Sequence, residues 1–402
     1  MAISNDLRFA VIGASRGKTF IQSAQALDGE GVRLTAVCDT NPEVLKEWAD
    51  TPGVKLYSDY DQVLADPEID AVCIATPIRM HASQSIAALN AGKHVLSEVT
   101  ANHTLEEGYD LIDAVKRSGR TYMMAENYCY MEPILQVQQM VEQGVFGELV
   151  FASGAYIHDC RSLVFTPEGD LTWRGEGRRT ARPGSSYPTH SMGPIARWLG
   201  INRTDRLKKM SVFTSPALAS AHYARRHHPD RPEYGDPAHW SYPDTCITSI
   251  ETEKGALISL RFDAVSCRPH QMARHELQGT KASFLWPDGP GHPPEPLIWI
   301  EDRSPTSDKG DYATEWEPLS KYREEFMHPL WREHGEAAKK AGHGGGDYFV
   351  LREFAAAVRE GRSPLFDVVD AVTWSALAPL GIESVAQGNT PVCIPDFKVG
   401  RP

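Results

Sequence analysis

The apolar and polar positions change their period partway along the chain. From Leu7 to about Asn127, short apolar runs rich in β-branched residues alternate with stretches of helical periodicity. The apolar runs are Leu7–Ile12, Arg33–Asp39, Asp70–Pro77, Lys93–Glu98 and Thr121–Asn127. The helical stretches run from Thr19 to Leu27, Asn41 to Ala49, Tyr60 to Leu64, Ala82 to Ala91 and Leu105 to Ser118. Such alternation predicts a parallel sheet with right-handed crossovers, which holds ligands at the carboxyl ends of its strands. Those ends are Gly13, Asp39, Thr76-Pro77, Glu98 and Asn127.

From Leu149 the pattern becomes that of strands with hairpin signals. Leu149–Tyr156, Lys209–Thr214, Cys246–Thr252, Ala256–Phe262 and Arg274–Leu277 are strand-like, and Glu253-Lys254-Gly255 and Gly279-Thr280-Lys281 read as turns. Two stretches, Arg161–Ser185 and Ala217–Pro243, are rich in Arg, His, Pro and Gly and read as long loops, lids or oligomer arms. Phe349–Arg359 and Val368–Gln387 read as closing helices, the second capped by Asp367. The expected architecture is an α/β doubly wound domain over residues 1–128, then an α+β domain with a largely antiparallel sheet over residues 129–402, its closing helices able to pack back on the first.

The first strand breaks into Gly13-Ala14-Ser15-Arg16-Gly17 and then a helix. This is the order that sets a pyrophosphate on a helix N-terminus, although Ser15 stands at the middle glycine place. Asp39 lies about 20 residues further on, where a carboxylate accepts from ribose hydroxyls. Thr40 and Asn41 follow it with no arginine to balance a 2′-phosphate, which favours NAD over NADP. The alternative for Asp39 is a cap on the next helix.

Composition narrows the field. A chain of 402 residues can bury two cores, and 41% hydrophobic with 23% charged residues is ordinary for a globular protein. A net charge of −12 argues against nucleic acid or an anionic membrane as partner. Seven scattered cysteines without C-x-x-C suggest neither a disulfide framework nor zinc. His227-His228 and His270 lack ligand spacing and read as solvated loop histidines, so no metal is expected. Met1–Asp6 does not read as a signal peptide, and no run reaches the ~20 apolar residues that span a bilayer; a cytoplasmic protein is the expectation.

Ala71–Pro77, His81 and Ala91–Glu98 resemble the Gfo/Idh/MocA oxidoreductases, which pair a Rossmann domain with a C-terminal α+β domain and act mainly on sugars and inositols with NAD(P). That family's Glu-Lys-Pro is here Glu98-Val99-Thr100, so its proton-transfer lysine is missing. Ala155–Asp159, Tyr187–Pro194 and Gly342–Asp347 resemble a narrower branch, the NAD-dependent glycoside hydrolase family 109, known for α-N-acetylgalactosaminidases and also lacking that lysine. Thr100, Ser191 and Gly346 replace that branch's usual proline, glycine and methionine.

The resemblance implies a redox route to glycosidic cleavage: transient oxidation at sugar C3, deprotonation at C2, elimination at C1, addition of water and regeneration of NAD. It implies His190 for the C3 hydroxyl proton. Tyr156 fits the C2 base, and Tyr187 fits sugar orientation or a share of that role. The plain alternative for both tyrosines is a buried strand residue with a satisfied hydroxyl. The expected cofactor groups are Gly13, Ser15, Arg16, Gly17, Asp39, Thr76, Pro77, His81, Glu98 and Asn127. Helix capping is the alternative for Glu98 and Asn127. Arg161, Trp173 and Arg174 can line a sugar subsite or pack a lid, and Arg178-Arg179 with Arg182 can meet an acidic sugar or a neighbouring subunit. The superfamily pairs through the open face of its second sheet, so a homo-oligomer, dimer or tetramer, is expected. An NAD-dependent sugar or inositol dehydrogenase and a non-catalytic sugar or dinucleotide sensor are the competing readings.

Overall fold

Strand β1 (Leu7–Ile12) is buried almost throughout, with Phe9, Ala10 and Val11 inaccessible to solvent. That is the environment of a central strand covered on both faces. It pairs in parallel with β2 (Val32–Cys38) on one side and β4 (Ala71–Ile74) on the other. With β3 (Lys55–Tyr57), β5 (His94–Ser97) and β6 (Tyr122–Met124), the order is β3-β2-β1-β4-β5-β6, all parallel. The strand order reverses between β1 and β4, so their carboxyl ends flank the crevice where such sheets take ligands. The computed structural model describes residues 6–184, 186–269, 271–287, 295–306 and 314–401.

Local chemistry punctuates this sheet. The helix Leu105–Ser118 opens on a capping box between Thr104 and Glu107 and stops at Gly119, whose φ of 63° suits glycine. The chain forms two compact units. The first contains the residues up to Leu135 and is completed by Met327–Ala376 and the residues from Asp396 onward. It is therefore discontinuous in sequence. Within Met327–Ala376 a helix runs Gly346–Glu360, three residues longer at its start than expected, and a second, Val368–Ser375, is capped by Asp367 as expected.

The second unit, Gln136–Phe326 with Leu377–Pro395, is built on a mixed sheet of nine strands among the described residues. These are β7 (Leu149–Ile157), β8 (Leu207–Thr214), β9 (Thr245–Thr252), β10 (Leu257–Asp263), β11 (Gln271–Gly279), β12 (Ala282–Leu285), β13 (Leu297–Ile300), β14 (Glu317–Pro318) and β15 (Val392–Cys393). They run in the order β14-β13-β12-β11-β7-β10-β9-β8-β15. Only β7 and β10 pair in parallel, so the sheet is largely antiparallel, as expected. Cys246, Ile250, Ile258, Leu260 and Phe262 lie buried on one face. On the other, Ser211, Ser249, Ser259 and Ser153 stand in one cross-strand row, flanked by exposed Phe213, Ile247 and Leu257.

The two long stretches expected to be loops carry helices instead, Trp173–Thr180 and Ala219–His227. They share a small core of Val164, Phe165, Ala221, Ala224 and Trp240. Their signal was weak because the buried face of the second helix is only Ser220, Ala221 and Ala224, beside Arg225, Arg226 and His227. His228 is half-buried, its ring 4.5 Å from Phe165, whereas His227 remains exposed with its ring 4.2 Å from that of Tyr223. His270 lies outside the described residues. One run of 19 residues, Val368–Ala386, approaches a membrane span in length and hydropathy, but most of it is buried within the fold, as a core helix is.

Candidate active site

In the first unit the groups assemble around the end of β1. Gly13 has φ 85°, and a Cβ there would lie 2.6 Å from the Ala75 carbonyl oxygen, so no other residue fits without displacing backbone. Gly17 has a different role. A Cβ there would overlap the Val11 side chain, and its absence lets the helix Ala14–Ala26 lie close on β1. Ser15 and Arg16 are exposed in the first turn of that helix. The Arg16 guanidinium reaches Glu98 at 2.5 Å, and Glu98 is only 5% exposed. The acid at the end of β5 is thus paired with the glycine turn rather than capping a helix.

Asp39 is tied to the same turn. Its Oδ2 accepts from the Ala14 N–H at 2.9 Å and its Oδ1 from the Asn41 N–H at 2.9 Å. Asn41, not Asp39, caps the helix Pro42–Lys46. Each Asp39 oxygen keeps acceptor capacity for a hydroxyl. His81 braces the neighbouring turns, with Nε2 2.8 Å from the Thr76 carbonyl and Nδ1 2.8 Å from the Thr100 carbonyl. The Thr76 hydroxyl donates to Gln84, and Pro77 leads directly into the turn Ile78–Met80. Asn127, just past β6, is 2% exposed; its Nδ2 donates to Asp347 at 2.7 Å, while its Oδ1 has no partner among the described residues. A cradle that only glycine fits, a ribose-competent carboxylate and an orphaned buried acceptor together suit a nicotinamide dinucleotide.

The sequence reading gave no role to His343 and Asp347. Asp347 is inaccessible to solvent, and His343 Nδ1 lies 2.9 Å from its Oδ2. Burial alone would push the histidine down and the aspartate up. Their mutual contact prevails, so His343 sits above its ordinary value and Asp347 below. The signal was present in the histidine–glycine run ahead of an aspartate, but not its meaning.

In the second unit the three residues expected to do chemistry come together. Tyr156 ends β7, and its ring lies 5.6 Å from Tyr187 and 5.4 Å from His190, the latter nearly stacked. Tyr187 meets His190 edge-on at 5.0 Å. Phe262, opposite Tyr156 on β10, stacks against it at 5.9 Å and 14°. His158 joins the cluster at 5.8 Å. The helix Thr189–Trp198 can approach β7 because position 154 is glycine: a Cβ there would lie 2.9 Å from that of Ser191. Pro194 cannot donate to the His190 carbonyl four residues earlier. Below the helix, burial pushes the His275 imidazole down to about 4, and the backbone of His190 and Ser191 offsets this in part.

The expected sugar-lining residues are placed as follows. Arg161 is held by Asp159 through two bonds of 2.8 and 2.7 Å, two residues beyond β7. Arg174 stacks 4.2 Å over Trp173, which is 52% exposed at the start of its helix. Arg178 does not offer a surface charge. It is buried, bonding to Ser220 and the Pro243 carbonyl.

Residues 7–126 match the family described as oxidoreductase, NAD-binding Rossmann fold, and residues 130–401 match glycosyl hydrolase 109, C-terminal domain. The chain is 34% identical over 412 residues to a glycosyl hydrolase family 109 protein of Solibacter usitatus, covering 98% of this chain and 89% of that one. It is likewise 34% identical over 424 residues to one of Stenotrophomonas maltophilia, covering 98% and 89%. Among solved structures, a levoglucosan dehydrogenase in complex with NADH superposes with a TM-score of 0.76 at 22% identity, covering 98% and 100% of the two chains. An inositol dehydrogenase homologue from Azotobacter vinelandii, complexed with NADH and myo-inositol, gives 0.70 at 21%, covering 97% and 98%. These structures share the fold. The chain belongs to glycosyl hydrolase family 109, and its N-terminal region is an NAD-binding Rossmann domain of the Gfo/Idh/MocA oxidoreductase family.

Proposed function

We propose that the protein cleaves a glycosidic bond by a redox-neutral route on a sugar substrate, with NAD as a cofactor that is restored in each turnover. The observation that carries this reading is the ring cluster of Tyr156, Tyr187 and His190. A bound NAD supplies one piece of chemistry, acceptance of a hydride from a sugar carbon and its later return. The rest falls to side chains. His190 takes the proton of the C3 hydroxyl, for which an imidazole is suited near neutral pH. Tyr156 removes the C2 proton, which a C3 carbonyl acidifies, and the C1 substituent leaves; water then adds at C1, C2 regains a proton, and the hydride returned to C3 restores the hydroxyl. Tyr187 orients the ring by its hydroxyl and its edge. Glu98-Val99-Thr100 holds no lysine for simple alcohol oxidation, which supports cleavage over net dehydrogenation.

Arg161, Trp173 and Arg174 fit a sugar-lining role in this reading, the indole offering a face on which a pyranose stacks. The open face around Phe213, Ile247 and Leu257 fits a homo-oligomer contact. The cysteines, none of them in a disulfide among the described residues, suit a reducing cytoplasm. The test is a panel of nitrophenyl glycosides offered to the NAD-loaded protein, with nitrophenol and NADH followed together. Nitrophenol release without net NADH supports the proposal. NADH accumulating with free sugars would replace it by a dehydrogenase, and silence on both would leave a sensor.

A further inference from the structure

Asp347 joins two groups that lie far apart in the chain, Asn127 through its Oδ1 and His343 through its Oδ2. Contacts with both outweigh its burial and keep it ionised, and a carboxylate can only accept hydrogen bonds. The Asn127 amide must therefore turn its nitrogen to Asp347, which leaves Oδ1 as an acceptor. That oxygen is buried and has no partner among the described residues.

The glycines around the dyad make the arrangement possible. A Cβ at Gly342 would lie 2.5 Å from Asp347 Oδ2 and 3.8 Å from Thr19 Cγ2, in the helix that follows the glycine turn. A Cβ at Gly346 would overlap the Asn127 carbonyl oxygen. His343 itself holds φ 51°, a left-handed conformation uncommon for a residue with a side chain.

We propose that Asp347 is a positioning residue of the cofactor site, presenting Asn127 Oδ1 as the acceptor for a hydrogen-bond donor of the bound nicotinamide nucleotide and holding His343 beside it as a proton-bearing group. This rests on the reading of Asn127 as a cofactor ligand. The charges that act on His343 are Asp347 from the helix that follows it, Glu98 from the end of β5 and Arg16 from the first turn after Gly13. The helix Pro329–Ala338 meets the glycine run through Trp331 and Ala338, which carry no charge.

The experiment is a fluorescence titration of the full-length protein with NADH, for the parent, Asp347→Asn, Asn127→Ala, the double variant and His343→Gln, with circular dichroism as a check on folding. Asp347→Asn and Asn127→Ala are each expected to weaken binding by roughly tenfold or more, and the double variant by no more than the larger single loss, as for groups acting in series. The parent should lose affinity as pH rises through the titration of His343, and His343→Gln should lose that dependence. A folded Asp347→Asn that binds like the parent, or losses that add in the double variant, overturns the positioning role. Should Asp347→Asn not fold, an unchanged pH dependence in His343→Gln overturns it instead. Unchanged affinity in Asn127→Ala overturns the cofactor reading of Asn127 and the proposal with it, so the two failures are told apart.

Discussion

Tyr156 and His190 stack with their ring centroids 5.4 Å apart and their planes at 28°, although one ends a strand and the other opens a helix 34 positions later in the numbering. Glycine at 154 permits that approach, and Phe262 backs Tyr156 from the adjacent strand. Replacing Tyr156 by Phe keeps the ring and removes only the hydroxyl. Turnover of the best aryl glycoside should fall by about 10²–10⁴-fold, the usual worth of a general acid or base, while the melting temperature stays close to that of the parent. Unimpaired turnover would remove Tyr156 from the chemistry.

His190→Ala should abolish turnover by the same nitrophenol assay. NADH affinity, measured separately by fluorescence, should be retained, because the cofactor groups named above belong to the first unit. Full activity in this variant would sink the assignment of the C3 proton to His190.

Gly13→Ala tests the cradle. The new methyl would enter at φ 85° and lie 2.6 Å from a backbone oxygen, so a loss of about 1–3 kcal/mol in stability is expected together with loss of NADH binding. Urea unfolding and an NADH titration check the two effects. If Asp39 takes the ribose as proposed, Asp39→Ser should narrow the preference for NADH over NADPH by roughly tenfold in competing titrations, since one opposing charge has gone.

His275 makes stability fall in mild acid. Its folded value of about 4 lies below the ordinary histidine value, so unfolding takes up a proton between those two limits. The contribution is fully present above the unfolded value near ~6.5 and is lost as pH falls toward the folded one, by about 3 kcal/mol in all. Urea midpoints of the parent and His275→Gln, compared near neutral pH and near the folded value, should show the parent losing more on acidification. Equal losses would assign the acid sensitivity to other groups.

The parallel sheet was legible because its longer strands are largely apolar, with polar breaks such as Arg8 and Arg33 near their starts, and lie between helical stretches. The exception is β3, which is three residues long with two of them exposed, and so leaves almost no pattern. Tyr156, Tyr187 and His190 were named from their motif, but nothing along the chain stated that their rings would meet. The helix Ala219–His227 read as a loop because alanine and serine form its buried face. Arg178 read as surface charge, and its burial follows from partners distant in the chain: Ser220, the Pro243 carbonyl and the Tyr242 ring. Asp347 lies in a motif the sequence shows, but its role is not legible there because its partner Asn127 lies 220 positions away, a separation that no local pattern encodes.

That separation also has a consequence for the order of synthesis. By the time Asp347 leaves the ribosome, all six strands of the first sheet and the whole of the second unit up to Phe326 have been made. The nascent first sheet can form its hydrogen bonds and its glycine turn early, yet Asn127 must wait for the carboxylate that orients it. On the proposed reading, cofactor capture waits for Asp347 to be made, and a product terminated before that residue would hold the sheet without the carboxylate that orients Asn127.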